Sequence, residues 1–137
     1  MRIIKTGLES IKNIDIENKK VILRTDFNVL VEKGRVKEGF RIKKSLPTIQ
    51  YLKKKGAKII IISHITEGRG KNLEPAVKYL NKFVKARLLT NILGPDVKKV
   101  VSKMKRGEIV VLKNLRTDRR EEKNDKIFSK KLAEIGD

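Results

Sequence analysis

The chain contains no cysteine, no tryptophan and a single histidine, His64. Without thiols there are neither disulfides nor thiolate metal sites, and one histidine makes no cluster to hold zinc. Aromatic residues amount to only 4% and sit mostly at core-like positions, so the stacking platforms of base-reading proteins are missing. No apolar run approaches the roughly 20 residues of a membrane-spanning helix. The opening MRIIKTGLES lacks the apolar core and cleavage site of a signal peptide, so a cytoplasmic protein with no membrane partner is expected. Acidic residues are also scarce: 16 Asp+Glu face 35 Lys+Arg, a formal net charge of +19.

Such an excess attracts nucleic acid, anionic membranes and anionic substrates alike. Most of it is lysine spread over helix faces, as at 43–44, 53–55 and 98–99, which is the pattern of a solvated surface. A specific reader of bases is disfavoured. A basic nucleic-acid-binding domain and a noncatalytic anion-binding α/β domain stay open as alternatives. At 137 residues, 39% hydrophobic and 37% charged, the chain has the size of one ordinary domain with a real core.

Apolar strands alternate with amphipathic helices, the pattern of a parallel α/β sheet. A strand is predicted at 20–27, then a small hairpin centred on Lys33-Gly34. Ile42, Leu46, Ile49 and Leu52 recur at helical spacing, predicting a helix over 44–55 with Pro47 in its opening turn and Gly56 as its stop. KIIIIS at 58–63 is continuously apolar, as in a central strand covered on both faces. A helix over 74–84 should turn Val77, Leu80, Phe83 and Val84 inward, followed by a weaker strand at 86–91. Gly94-Pro95 opens a helix carrying Val97, Val100, Val101 and Met104 to a stop at Gly107, and EIVVLKN at 108–114 is the next strand. Asn124 is placed to cap a last helix carrying Ile127, Phe128, Leu132 and Ile135. The expected fold is a three-layer α/β/α Rossmann-like parallel sheet.

Strands of a parallel sheet end on one side, where ligands bind. There VILRTDFNV breaks into Asp26-Phe27-Asn28. Asp26 and Asn28 lie two apart, so in extended backbone both could grip one small polar molecule; as common turn residues they equally suit an Asx turn, the favoured reading of these residues alone. His64 and Arg116 follow later strands, and Arg41 leads out of the hairpin. Arg forks pair with carboxylate or phosphate, Asp accepts from hydroxyls and Asn does both, a set that suits a small hydroxylated anion. Each residue also has a plainer reading: Arg41 as a surface residue, His64 as a satisfied histidine, Arg116 as the partner of Asp118 or Glu121.

Taken in order, VILRTDFNV, RIKKSLPTIQYLKKKGAKIIIISH and EIVVLKNLR running into REEKND resemble the N-terminal part of phosphoglycerate kinase, at spacings like the family's and over nearly the whole chain. Several long segments in register are specific, whereas DFN or SH alone would be weak. The resemblance implies reversible phosphoryl transfer between ATP and 3-phosphoglycerate, a step of glycolysis that also yields 1,3-bisphosphoglycerate. The N-terminal domain would hold the glycerate and a C-terminal domain Mg-ATP or Mg-ADP, with hinge closure joining them. By carry-over, Asp26 and Asn28 hold the glycerate hydroxyl and carboxylate region. Arg41 binds the reacting carboxyl end and is the catalytic residue, stabilising charge on the transferring phosphoryl group. His64 and Arg116 take the substrate's phosphate. Phosphoryl transfer is mostly positioning and charge neutralisation, so a basic cradle matters more than a nucleophile.

Two departures qualify the carry-over. Where the family usually reads His-Leu-Gly-Arg-Pro, this chain has His64-Ile65-Thr66-Glu67-Gly68-Arg69, which sets Glu67 at the expected arginine; Arg69 is taken as its substitute after a loop shift. The family's nucleotide-binding lysine, glycine-rich segments, hinge and one further substrate arginine have no counterpart, and no stretch matches a P-loop. Residues 1–137 are therefore read as a partial N-terminal substrate-binding domain, with the nucleotide-binding domain absent, no cofactor bound by this chain alone and no catalysis expected from it. Family topology further puts the first strand between the second and the fifth, so residues 20–28 should form an open sheet edge, inviting self-association.

Overall fold

The structure is a computed structural model that describes residues 9–66 and 72–137. In chain order its elements are β1 (Lys20–Arg24), β2 (Val31–Glu32), β3 (Arg35–Val36), α1 (Phe40–Lys54), β4 (Lys58–Ile62), α2 (Glu74–Leu80), β5 (Arg87–Leu88), α3 (Pro95–Ser102), β6 (Ile109–Val111), α4 (Arg119–Glu122) and α5 (Lys126–Ala133). A parallel sheet runs β1-β4-β6-β5, and β2 and β3 form a separate antiparallel hairpin.

Side chains alternate across a strand, and this divides the core in two. Ile59 and Ile61 of β4, with Ile109 and Val111 of β6, pack against Ile42, Leu46, Ile49 and Leu52 of α1 and Ala76, Val77 and Leu80 of α2. Ile60, Ile62, Val110 and Leu112 face the other way, onto Val97 and Val101 of α3 and Phe128 of α5. Both faces of β4 are thus covered, which is why its sequence is an unbroken isoleucine run rather than an alternating one. Each isoleucine so buried stabilises the fold by about 1.5–3 kcal/mol. The result is the expected three-layer α/β/α arrangement. No helix among the described residues is long and apolar enough to cross a membrane.

The turn chemistry follows the sequence closely. Lys33 and Gly34 both have positive φ, 51° and 75°, the mirror-image turn that matches the twist of a two-residue hairpin loop. At the end of α1, Gly56 adopts φ 78°, its N–H donating to the Lys53 carbonyl and that of Ala57 to the Leu52 carbonyl, a Schellman termination.

Several boundaries differ from expectation. Helix α1 begins at Phe40, where Glu38 Oε1 accepts the Phe40 N–H at 2.6 Å, so Pro47 lies inside the helix rather than in its first turn. Pro47 is exposed, and four buried apolar residues on the opposite stripe hold the helix despite the missing N–H. Helix α2 stops at Leu80 because the Asn81 side chain bonds the Ala86 N–H and carbonyl and bends the chain back toward β5. Phe83 consequently points outward against Tyr79, their ring centroids 5.7 Å apart, instead of entering the core. The strands foreseen at 20–27, 86–91 and 108–114 are shorter, at 20–24, 87–88 and 109–111. Asp125, not Asn124, caps α5, accepting the Phe128 N–H at 2.8 Å, while Asn124 takes a left-handed φ of 51° in the preceding turn.

Within the described residues β1 pairs only with β4, so it is an edge, but a less open one than expected over 20–28. Asp137 brackets Lys20, donating its N–H to the Lys20 carbonyl at 2.8 Å and accepting the Lys20 N–H at 2.9 Å. On its other side, toward β4, the pairing continues past the strand end: Thr25 donates to the Ile62 carbonyl and Phe27 to Ser63 Oγ.

Candidate functional site

The carboxyl ends of β1, β4 and β6 stop abreast of one another, and short side-chain bonds lock the segments that follow. After β1, fully buried Phe27 anchors a tight turn in which Asp26 Oδ1 accepts the Asn28 N–H at 3.0 Å. This is the Asx turn, and it sets both flanking side chains at the surface. Buried Ser63, just past β4, ties the two strand ends together: its hydroxyl donates to the Thr25 carbonyl at 2.7 Å and accepts the Phe27 N–H at 3.0 Å.

Asp26 and Asn28 do not act as a free pair of grips, because each already holds a neighbour. Arg41, in the first turn of α1, directs Nη1 to both Asp26 oxygens at 3.3 and 3.2 Å and to the Asn28 carbonyl at 3.1 Å. Asn28 Oδ1 accepts from the Thr66 N–H at 2.9 Å and from its hydroxyl at 3.2 Å. Among the described residues Arg41 bonds its partners through Nη1, and more than half of its side chain is exposed to solvent.

The segments that carry His64 and Arg116 share a support in Asn114, which is 1% exposed. Its Oδ1 accepts the Ile65 N–H and the Arg116 N–H, both at 3.1 Å, and its Nδ2 donates to the Ile65 carbonyl at 2.9 Å. The loop after β4 and the turn after β6 are thus joined through this amide and through the Leu115 N–H, which donates to the Ser63 carbonyl at 3.0 Å. Arg116 does have the plainer partner foreseen in Glu121, and a second one in Glu122: Nε lies 3.0 Å from Glu121 Oε2, and Nη1 donates to Glu122 Oε1 at 3.0 Å. Arg24, at the end of β1, donates Nη2 to Glu121 Oε1 at 3.0 Å. Asp118 instead pairs with Arg120 and caps α4. Arg69, with Glu67, lies outside the described residues.

Buried polar atoms without a hydrogen-bond partner are uncommon, and each calls for an explanation. Among the described residues four side-chain atoms are in that state, Thr25 Oγ1, His64 Nδ1, Arg116 Nε and Glu121 Oε2. Thr25 and His64 directly follow the ends of β1 and β4, Arg116 lies in the turn after β6, and Glu121 reaches Arg116 from α4. The last two are close enough to attract as ions but out of line for a hydrogen bond. His64 is held below the ordinary histidine value, first by burial and then by the positive charges of Arg116 and Arg24, against a smaller opposing pull from Glu121 and Asp26.

Three guanidiniums, of Arg24, Arg41 and Arg116, therefore face three carboxylates, of Asp26, Glu121 and Glu122, around a neutral imidazole with an unused nitrogen. Arginines so placed have the paired donors that an oxyanion such as carboxylate or phosphate can accept from, in competition with their internal partners. No group of three or more His, Cys, Asp or Glu that could hold a metal ion occurs among the described residues. Sequence reasoning missed Arg24, Ser63, Thr66, Asn114, Glu121 in its double contact, and Glu122. The available signal was position: Arg24, Ser63 and Asn114 all fall within a few residues of an apolar run's end, where parallel sheets present their sites.

The family model for phosphoglycerate kinase matches residues 11–137. A phosphoglycerate kinase of Clostridium botulinum (strain Loch Maree / Type A3) is 40% identical over 138 residues, covering 94% of this chain and 35% of the relative. One from Borrelia hermsii is 36% identical, covering 96% and 35%. The crystal structure of phosphoglycerate kinase from Pyrococcus horikoshii OT3 superposes with a TM-score of 0.81 at 27% identity, over 95% of this chain and 35% of that one. The Coxiella burnetii structure gives 0.79 at 26%, over 93% and 33%. The chain spans about a third of the length of the relatives it matches.

Proposed function

This chain belongs to the phosphoglycerate kinase family, and from that premise we propose that residues 1–137 are part of its substrate-binding N-terminal domain, holding 3-phosphoglycerate for reversible phosphoryl exchange with a magnesium nucleotide bound elsewhere in the whole protein. The supporting observation is the strand-end cluster, which gathers Asp26, Asn28, Arg41, His64 and Arg116 on one side of the sheet with counter-ions to exchange.

In this reading Asp26 and Asn28 receive the hydroxyl and carboxylate end of the glycerate, and the Arg41 nitrogens not engaged by Asp26 meet its reacting carboxyl. Charge on the phosphoryl group then spreads over three equatorial oxygens, and a fixed guanidinium stabilises it without reorganising at the moment of transfer. His64 and Arg116 take the opposite, phosphate end, with Arg69, five residues after His64 in sequence, as a further arginine. The groups that would hold the nucleotide are not supplied by these residues, so the chain alone binds and does not turn over.

Titration of 3-phosphoglycerate into the 137-residue chain, followed by the ring signals of its only histidine, tests this. Saturable binding that Arg41→Ala removes is the expected result. Equal response to any small anion leaves an anion-binding domain instead, and a steep salt-dependent affinity for DNA or RNA favours the nucleic-acid alternative. ATP-dependent turnover by the chain alone would overturn the assignment of catalysis to the whole protein.

A further inference from the structure

Glu121 and Glu122 are neighbours in sequence, yet they stand in opposite situations. The Glu121 side chain is 10% exposed and lies between two guanidiniums, those of Arg24 and Arg116, at 3.0 Å from each. Glu122 is 60% exposed and, among the described residues, pairs with Arg116 Nη1. Arg116 therefore meets a shielded carboxylate along its Nε edge and a solvated one at Nη1. An arginine recognises phosphate through two parallel N–H groups. With Nε facing Glu121, the pair it can offer is Nη1 and Nη2, and Glu122 sits on half of that fork.

We propose that Arg116 binds its oxyanion by exchanging Glu122 for it, while Glu121 remains in place as the brace that fixes Arg24 and Arg116 side by side against His64. Glu122 is then an internal competitor that sets how tightly the anion is held, and Glu121 is a positioning residue. The proposal rests on the reading that the strand-end cluster receives the phosphate of 3-phosphoglycerate, but its chemistry concerns any phosphate group arriving at Arg116.

The two glutamates must then respond with opposite signs. Glu122→Gln removes a solvated competitor, and binding should tighten by about two- to fivefold, the range that exposed ion pairs span. Glu121→Gln must turn an amide NH2 toward one of the two guanidiniums, releasing one arginine from the pair, and binding should weaken by roughly tenfold or more, as when one partner of a shielded charge pair is lost.

The experiment follows the Arg116 Nε–H and His64 ring resonances of the 137-residue chain and both variants while 3-phosphoglycerate, and separately inorganic phosphate, is added. The order Glu122→Gln, then wild type, then Glu121→Gln in affinity supports the proposal. If phosphate produces that order and 3-phosphoglycerate binds no better than phosphate, the substrate reading fails while the exchange stands. If both glutamates act with the same sign, or if neither anion moves the Arg116 signal in the wild type and in Glu122→Gln, the exchange is overturned. Should Glu121→Gln not fold, Glu122→Gln still decides, because unchanged or weaker binding by this exposed-site variant contradicts the competitor role.

Discussion

Asn114→Ala is the substitution whose cost follows most directly from the geometry. Ile65 is 1% exposed, and both its N–H and its carbonyl bond the Asn114 side chain. Removing the amide strands two backbone groups where water has little access, at about 1–3 kcal/mol each. The same change deprives the Arg116 N–H of its acceptor, a cap worth about 0.5–2 kcal/mol. Local relaxation recovers part of this, so a net loss of about 3 kcal/mol is expected, a large share of the roughly 5–15 kcal/mol that holds a domain together. Urea unfolding followed by circular dichroism should show the midpoint falling by about 1–2 M at an unchanged slope. Asn114→Asp supplies the control, because a carboxylate can accept from Ile65 and Arg116 but cannot donate to the Ile65 carbonyl. Its folded-state pKa is expected to lie above the unfolded carboxyl value near 3.9. The variant should therefore regain stability relative to wild type below about pH 4, and lose it as pH rises. An Asn114→Ala protein within about 0.5 kcal/mol of wild type would refute the account, placing it among ordinary surface substitutions.

His64 titrates below the usual 6.5, so the unfolded chain takes up its proton first as pH falls. Its contribution to stability should be complete above 6.5 and decline below it until the folded-state ring protonates, a component that His64→Gln removes from the pH profile of unfolding. In Gly39→Ala the added methyl would overlap the Tyr79 ring, so the ring must move from the start of α1; a loss of about 1–3 kcal/mol is expected, and Tyr79→Ala in the same chain should relieve the clash. Asp125→Ala should cost about 1 kcal/mol of thermal stability through the lost α5 cap, whereas Asn124→Gly should be neutral or stabilising; the reverse order would restore Asn124 as the cap.

The layers were legible because they depend on one-dimensional patterns. The isoleucine run of β4 and the spacing of Ile42, Leu46, Ile49 and Leu52 specify which faces are buried whatever the neighbours do. Boundaries were less legible where a distant side chain ended the element. Nothing within 74–84 announces that Asn81 bonds the backbone at Ala86 and turns Phe83 outward. Likewise Asp125 captures the cap of α5 because Asn124 has been drawn into a left-handed turn, a competition that either residue type could have won.

The same distinction explains how the site divides. Asp26, Asn28, Arg41, His64 and Arg116 are legible by position, since each follows a strand or enters the first helix at the carboxyl side of the sheet. Glu121 as the partner of Arg116 was legible too, being five residues on, but the longer-range supports were not, because they come from 13 to 97 residues away: Arg41 reaches back to Asn28, Asn114 to Ile65, and Glu121 to Arg24. A basic composition implied a bare cationic cradle, yet the cluster is electrically balanced, three guanidiniums against three carboxylates. The net charge of +19 is therefore a property of the lysine-rich exterior and not of the cluster. Salt should then weaken a small anion's binding less steeply than the overall charge implies, because local exchange of paired ions, rather than the long-range field, sets the affinity.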